Sequence, residues 1–336
     1  MIKTLQLLSV FTFLLMTSCE KVLFQEDVTS SNPNENFEYL WNECNEKYSY
    51  FSLKEVDWSK VKNEYSNKVY VGMSDDSLFN VLGGMLKELK DDHVNLVSNF
   101  STSFYGVEYR GQDNFNWRVL VDNYLTTDFQ ISGPFTHNFI ANNEVGYIRL
   151  SSFANSIDSE NLNFMLDRYK NTKGLILDLR SNGGGAIANV FTLLSRFVES
   201  ETIVFYSKIK SGPGHEEFTD PSAAKVHPSS NIRYTSDIVV LTDRGTYSSG
   251  SLMALATKAL PNVTLIGDTT GGGLGMPNGG QLPNGWRYRF SITQTLTTDK
   301  RPDFENGVPP DIKAQFDWSD LSKDEILDRA ITELLL

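Results

Sequence analysis

Cysteine and histidine are scarce in this chain, with two and four copies among 336 residues. No two of them stand at metal-ligand spacing: there is no His-Glu-x-x-His and no Cys/His cluster. That excludes a zinc site of the usual kind, and no cofactor is implied elsewhere. The two cysteines, Cys19 and Cys44, cannot build a disulfide framework. Basic stripes are missing too. Thirty Lys and Arg stand against 42 Asp and Glu, giving a formal net charge of −12. No run of cations offers to neutralise phosphates, so a nucleic-acid partner is not expected. Internal repeats and low-complexity tracts are absent. The longest apolar run falls short of the roughly 20 residues that a membrane-spanning helix needs. What remains is an ordinary globular composition, 40% hydrophobic and 21% charged. The length suits one large α/β domain with a smaller companion.

That apolar run, Leu5 to Met16, follows Lys3 and ends at Leu15-Met-Thr-Ser-Cys19. Residues 1–18 read as a secretory signal peptide. The end of the segment resembles a bacterial lipobox, with Cys19 as the lipidated first residue of the mature chain. An ordinary cleaved signal with a coincidental cysteine is the alternative. The lipobox reading places the protein in the cell envelope, facing periplasm or cell surface and touching the membrane through this anchor alone. Polar residues 19–36 then read as a tether.

Residues 37–99 carry helical periodicity. Phe37, Leu40, Trp41, Cys44 and Tyr48 share one face, and Leu78, Val81, Leu82, Met85, Leu86 and Leu89 share another. A small helical subdomain is expected, ending at Lys90-Asp-Asp-His93. Residues 100–142 read as a β-rich connector, with strands around Phe104 to Tyr109 and Trp117 to Val121. From residue 143 to 336, strand, glycine-rich turn and helix alternate. Gly174-Leu-Ile-Leu-Asp-Leu179 and Ile238-Val-Val-Leu-Thr242 are continuous apolar runs, as expected of strands buried on both faces. A mainly parallel α/β sheet core follows. A capping box at Ser322-Lys-Asp-Glu325 is expected to open the last helix.

Two strand ends could carry chemistry. At Thr242 to Ser251 a buried strand meets a helix start, where a hydroxyl and free amide N–H groups share one space; acyl transfer uses that arrangement. Taken alone, Ser248 reads better as a helix N-cap. At Asp178-Leu-Arg-Ser-Asn-Gly-Gly-Gly185, three glycines let backbone approach a ligand closely. The spacing fits neither a dinucleotide loop nor a Walker loop. A serine nucleophile needs a base near neutral pH, and spacing cannot choose among His93, His137, His215 and His227.

Asp178 to Gly185, Thr246-Tyr-Ser-Ser-Gly-Ser251, Gly267-Asp-Thr-Thr-Gly-Gly-Gly273 and Gly307-Val-Pro-Pro-Asp311, in this order, resemble the core of the C-terminal processing (tail-specific) serine peptidases. Leu89-Lys-Asp-Asp-His93 resembles the histidine motif of the tricorn-core-like branch. The resemblance implies a ClpP/crotonase-like fold and a peptide or protein substrate. It also implies a serine endopeptidase of Ser-His-Glu type. Gly273 stands where the Ser-Lys branch carries its lysine, so Ser248, His93 and Glu305 match the triad. Asp92 matches the position of an imidazole-orienting residue. The oxyanion is expected between the N–H groups of Ser249 and Gly184. Ser251 departs from the family's usual Glu, and the stretch between His93 and Val145 is too short for a PDZ domain. A weak or inactive member binding a peptide or apolar ligand is the alternative, since vertebrate retinoid-binding repeats are similar in fold. An acyl-CoA enzyme on a crotonase-like core is a more distant one.

Overall fold

The computed structural model describes residues 29–107 and 111–336. The expected signal segment and Cys19 lie outside the described residues. Asn32 caps a helix over Pro33–Lys47, so helix begins within the segment read as a tether. Asp57 and Ser74 cap two more, Trp58–Ser66 and Asp75–Lys87. Each cap side chain accepts an amide N–H that the helix itself cannot satisfy, worth about 1 kcal/mol apiece. Phe37, Leu40, Cys44, Trp58, Leu82 and Met85 bury the facing stripes in one core. Two short strands follow, β1 (Asn95–Val97) and β2 (Thr102–Ser103).

The strand expected at Trp117 to Val121 is helical instead: an α-turn over Trp117–Leu120 runs into a π-turn over Val121–Leu125. Asn116 decides this locally. Its Oδ1 accepts from the amides of Arg118 and Val119 and starts a helix that alternating aromatics alone would not suggest. Phe104 and Tyr105 form no strand either.

The remaining strands are β3 (Gln130–Ser132), β4 (Phe135–Ile140), β5 (Val145–Leu150), β6 (Gly174–Asp178), β7 (Thr202–Ile209), β8 (Ser222–Val226), β9 (Ile238–Thr242), β10 (Val263–Gly267), β11 (Pro277–Gln281), β12 (Arg287–Ser291), β13 (Thr293–Leu296) and β14 (Ile312–Lys313). Seven of them make the central sheet, in the order β14-β10-β9-β6-β5-β4-β3. It is parallel from β14 to β5 and antiparallel beyond. Every residue of β5, β6 and β9 is buried, as continuous apolar runs require. Side chains alternate between two cores. Leu175, Leu177 and Val240 face the helices Ser159–Tyr169, Ile187–Leu194 and Ser249–Thr257. Ile176, Val239 and Leu241 face the last helix, Glu325–Leu335.

The expected capping box of that last helix does not form. Asp324 is the cap, accepting from Ile326 and Leu327, while the Ser322 hydroxyl donates to Asp320. Asp324 is fixed there by the buried Arg180, whose Nη1 lies 2.7 Å from it and whose other nitrogens grip Asp178. Two smaller sheets complete the molecule. β13, β7 and β8 form one; β11, β12, β1 and β2 form the other. The β11–β12 hairpin belongs in sequence to the α/β part, yet its Leu282, Trp286, Tyr288 and Phe290 fill the core of the N-terminal helices. β12 pairs with β1 from Asn95↔Arg289 to Val97↔Arg287. That pairing hangs His93, two residues before β1, over the carboxyl ends of β6 and β9.

Candidate active site

β9 delivers the chain to a turn that holds Ser248 at φ +55° and ψ −120°, a conformation serine rarely adopts. The surroundings fix it. Ser248 N–H donates to the Gly272 carbonyl at 3.0 Å, and Tyr247 N–H donates to the Asn182 carbonyl at 2.9 Å. Ser248 occupies the cap position of the Ser249–Thr257 helix, but its side chain makes no capping bond. Its Oγ lies 3.0 Å from His93 Nε2 instead. The local preference for a cap has yielded to a partner 155 residues away.

The glycine turn after β6 packs directly on this serine. A Cβ on Gly184 would stand 2.8 Å from Ser248 Cβ and 2.9 Å from Ser249 N, so only glycine fits. The Gly184 N–H, however, donates to Asn182 Oδ1 at 2.9 Å and is taken up within the turn. The neighbouring Gly185 bridges Phe153 on one side and turns its carbonyl to Ser249 Oγ, 2.7 Å away, on the other. The bridge is made by its neighbours, Phe153 N–H donating to the Gly184 carbonyl and Ala186 N–H to the Phe153 carbonyl, so the Gly185 N–H is not spent on Phe153. Among the described residues no protein acceptor sits on the amides of Gly185 or Ser249.

His93 is held from its backbone. Its N–H donates to Asp91 Oδ1 at 2.8 Å, and its ring meets the Tyr247 ring edge-on, with centroids 5.1 Å apart. Tyr247 donates its hydroxyl to the same oxygen at 3.2 Å, and Tyr48 donates to Asp91 Oδ2 at 3.1 Å. Asp91 is thus a site residue that sequence comparison passed over for its neighbour. The Asp92 carboxylate turns away from the ring and accepts from the amides of Gly106 and Val107, at 2.5 and 2.7 Å. Two adjacent acids give no sequence signal for which one faces inward. Burial lowers the His93 pKa below the usual imidazole value. Asp91 opposes that shift and Arg289 adds to it.

Glu305 is 2% exposed. Its Oε2 accepts from the amides of Leu274 and Gly275, at 2.8 and 3.1 Å. Among the described residues its Oε1 and the Nδ1 of His93 are both buried without a hydrogen-bond partner, and the two residues are not bonded to each other. Gly275 stands between them. Its N–H is on Glu305, and its carbonyl faces His93 closely enough to favour the charged ring without making a well-aligned bond. Burial, reinforced by the charge of Asp91, pushes the Glu305 carboxyl up to about 8 against the pull of Lys54.

The departures from the family pattern have local causes. A Cβ on Gly273 would stand 2.2 Å from the Tyr247 ring, so no lysine fits there. Ser251 is buried and donates to the Thr246 carbonyl and Thr270 Oγ1. The other histidines are occupied elsewhere: His137 between Ser132 and Tyr169, His215 on Asn45, His227 beside Glu201. A cavity of about 460 Å³ opens over Ser248, and His93, Gly185, Ile187, Leu252 and Arg289 are in its wall.

A serine at a strand-to-helix turn, with an imidazole on its Oγ and unclaimed amides beside it, is the arrangement of a serine hydrolase. The profile of Peptidase family S41 matches residues 144–314, and the chain belongs to that family, whose members are serine-type hydrolases. Residues 30–87 match the Tricorn protease C1 domain. A crystal structure from Parabacteroides merdae assigned to a peptidase is similar at 38% identity and a TM-score of 0.87, covering 91% of this chain and 98% of that one. The carboxy-terminal processing protease CtpA of Bacillus subtilis is 29% identical over 52% of this chain, a match spanning 35% of CtpA's own length. The tricorn protease shares the fold, at 16% identity and a TM-score of 0.57 over 90% of this chain and 36% of that one.

Proposed function

We propose that this protein is a serine endopeptidase that cleaves peptide bonds through an acyl-enzyme on Ser248. The observation that carries the reading is the 3.0 Å approach of His93 Nε2 to an Oγ that does no capping. In this mechanism His93 takes the Ser248 proton as Oγ attacks the substrate carbonyl. It returns that proton to the leaving amine as the C–N bond breaks. Water, deprotonated by the same nitrogen, then releases the acyl group and restores Ser248. The developing oxyanion lies between the N–H groups of Ser249 and Gly185. Gly184 serves by leaving room, its own N–H being spent on Asn182. Losing one such donor costs about 3 kcal/mol in the transition state.

Glu305 and Asp91 act as positioning residues. Glu305 holds the Leu274–Gly275 peptide against His93, and the Asp91 carboxylate favours the imidazolium that forms during the reaction. Asp92 lines the cavity and holds the amides of Gly106 and Val107. Ile187, Leu252 and Leu274 give the cavity an apolar side suited to an apolar residue next to the scissile bond. A proteome-derived peptide mixture tests the reading. Wild type is expected to create new peptide termini, detected by mass spectrometry, and Ser248→Ala to create none. Equal profiles from the two proteins contradict it.

We further infer export and lipidation at Cys19, on the strength of the Leu5 to Met16 run and Leu15-Met-Thr-Ser-Cys19. Cells fed an alkynyl palmitate are expected to label wild type and not Cys19→Ala; equal labelling contradicts the anchor.

A further inference from the structure

The four-stranded sheet carries a second hollow, about 930 Å³, that shares Asp92, Pro277 and Arg289 with the cavity over Ser248. Its floor is the outward face of that sheet. Pairing register puts Gly279, Arg289 and Asn95 in one row across the strands. Gln281, Arg287, Val97 and Thr102 form the next row. Residues two apart on a strand share a face, so the guanidinium-bearing side chains of Arg287 and Arg289 rise side by side, roughly 7 Å apart at the backbone. The intervening Tyr288 points to the opposite, buried face.

Among the described residues neither arginine pairs with a carboxylate, although the chain carries a formal charge of −12. Both are exposed. Among the described residues Asp92 is the one acid lining either hollow, and amides of the Gly106–Val107 segment take both its oxygens. Asn95, with its amide turned so that the oxygen faces the guanidinium, accepts from Arg289 Nε and Nη2 at 3.2 and 2.9 Å. That fixes the plane of the side chain and leaves Nη1 without a partner among the described residues. Arg289 also lies near enough to His93 for its charge to disfavour the imidazolium.

The position of His93 gives this hollow its side. The imidazole must reach the leaving amine, so the wall beyond it receives the substrate chain carboxyl-terminal to the scissile bond. We propose that Arg289, assisted by Arg287, binds a carboxylate on the leaving-group side of the scissile bond. The carboxylate is an Asp or Glu side chain, or the substrate's own C-terminus. Arginine suits this task because its planar fork meets a carboxylate through two parallel bonds. The proposal rests on the peptidase reading for the direction of the substrate, but carboxylate binding can be measured without turnover.

The test uses Ser248→Ala and fluorescein-labelled octapeptides of Ala and Gly. One set carries Glu or Gln at each of the last four positions, and another ends in a free acid or an amide. Anisotropy is expected to show about tenfold tighter binding for one member of a charged/neutral pair. Adding Arg289→Gln is expected to abolish that difference, Arg287→Gln to reduce it and Arg289→Lys to keep part of it. Dependence on Glu against Gln assigns a side chain; dependence on acid against amide assigns the C-terminus. Equal affinity within every pair, or preference that survives Arg289→Gln, overturns the inference. If charge-selective binding is found while wild type cleaves none of these peptides nor any proteome-derived peptide, the peptidase reading fails and the carboxylate site stands.

Discussion

His93 Nε2 and Ser248 Oγ stand 3.0 Å apart because a hairpin from the far end of the chain pairs with the strand that follows the histidine. The approach therefore depends on packing between two parts of the molecule as well as on the nucleophile turn. Replacing Trp286 by Ala removes a ring that packs between Phe79 and Phe100. A loss of about 3–5 kcal/mol is expected for such a truncation. Peptide hydrolysis should fall at temperatures where the β6–β9 core is still folded. Thermal unfolding followed alongside activity checks this; parallel loss of both contradicts it.

The His93 pKa is lowered chiefly by burial, so the neutral base persists below the usual imidazole titration. The acid limb of kcat/KM is expected below pH 6.5. Asp91 works against that lowering, and Asp91→Asn takes its charge away while leaving an oxygen for the His93 amide. The limb of that variant should move to still lower pH. A limb that stays in place or rises excludes Asp91 from the electrostatics of the base.

Glu305 gives a stability signature of opposite sign to the common carboxylate. Its pKa rises from 4.5 to about 8 in the folded chain, so the native state binds more protons than the unfolded state between those values. Stability is highest below the unfolded pKa and falls as pH climbs to about 8. Each decade of proton affinity is worth about 1.4 kcal/mol. Glu305→Gln keeps an acceptor for Leu274 and Gly275 but cannot ionise. Its Tm should decline less between pH 5 and pH 9 than that of wild type. Identical slopes contradict a carboxyl held this high.

Gly184→Ala tests the contact between the two turns. Its φ of +98° disfavours any side chain, and the new methyl would meet Ser248 Cβ at 2.8 Å. A stability loss of about 1–3 kcal/mol is expected, together with turnover at least about tenfold below wild type. A variant with unaltered kcat contradicts this packing of the nucleophile turn.

Much of this was readable from sequence where a physical signal is local. β6 and β9 announced themselves as unbroken apolar runs, and the N-terminal helices by periodicity. His93, Ser248 and Gly273 could be singled out by motif order. The rest depends on partners distant in the chain. Nothing in Asp91-Asp92 says which carboxylate turns inward, because the choice is made by Tyr48, Tyr247 and the 106–107 amides. The cap at Asp324 is set by Arg180, 144 residues earlier, whereas Ser322 had the better local pattern. The hairpin over 277–291 carries the glycines and polar residues of a loop, and its role in the helical core appears only once β12 finds β1. Trp117 to Val121 shows alternation, but one asparagine before it outweighs the pattern.

The central claim is that Ser248 is a nucleophile activated by His93, and a fluorophosphonate probe reads it most directly. Intact mass and peptide mapping of the labelled protein should place a single phosphonyl group on Ser248. Ser248→Ala should take up none, and His93→Ala should label far more slowly at pH 7. Adduct formation at other serines only, or labelling of Ser248→Ala at the wild-type rate, would contradict the account.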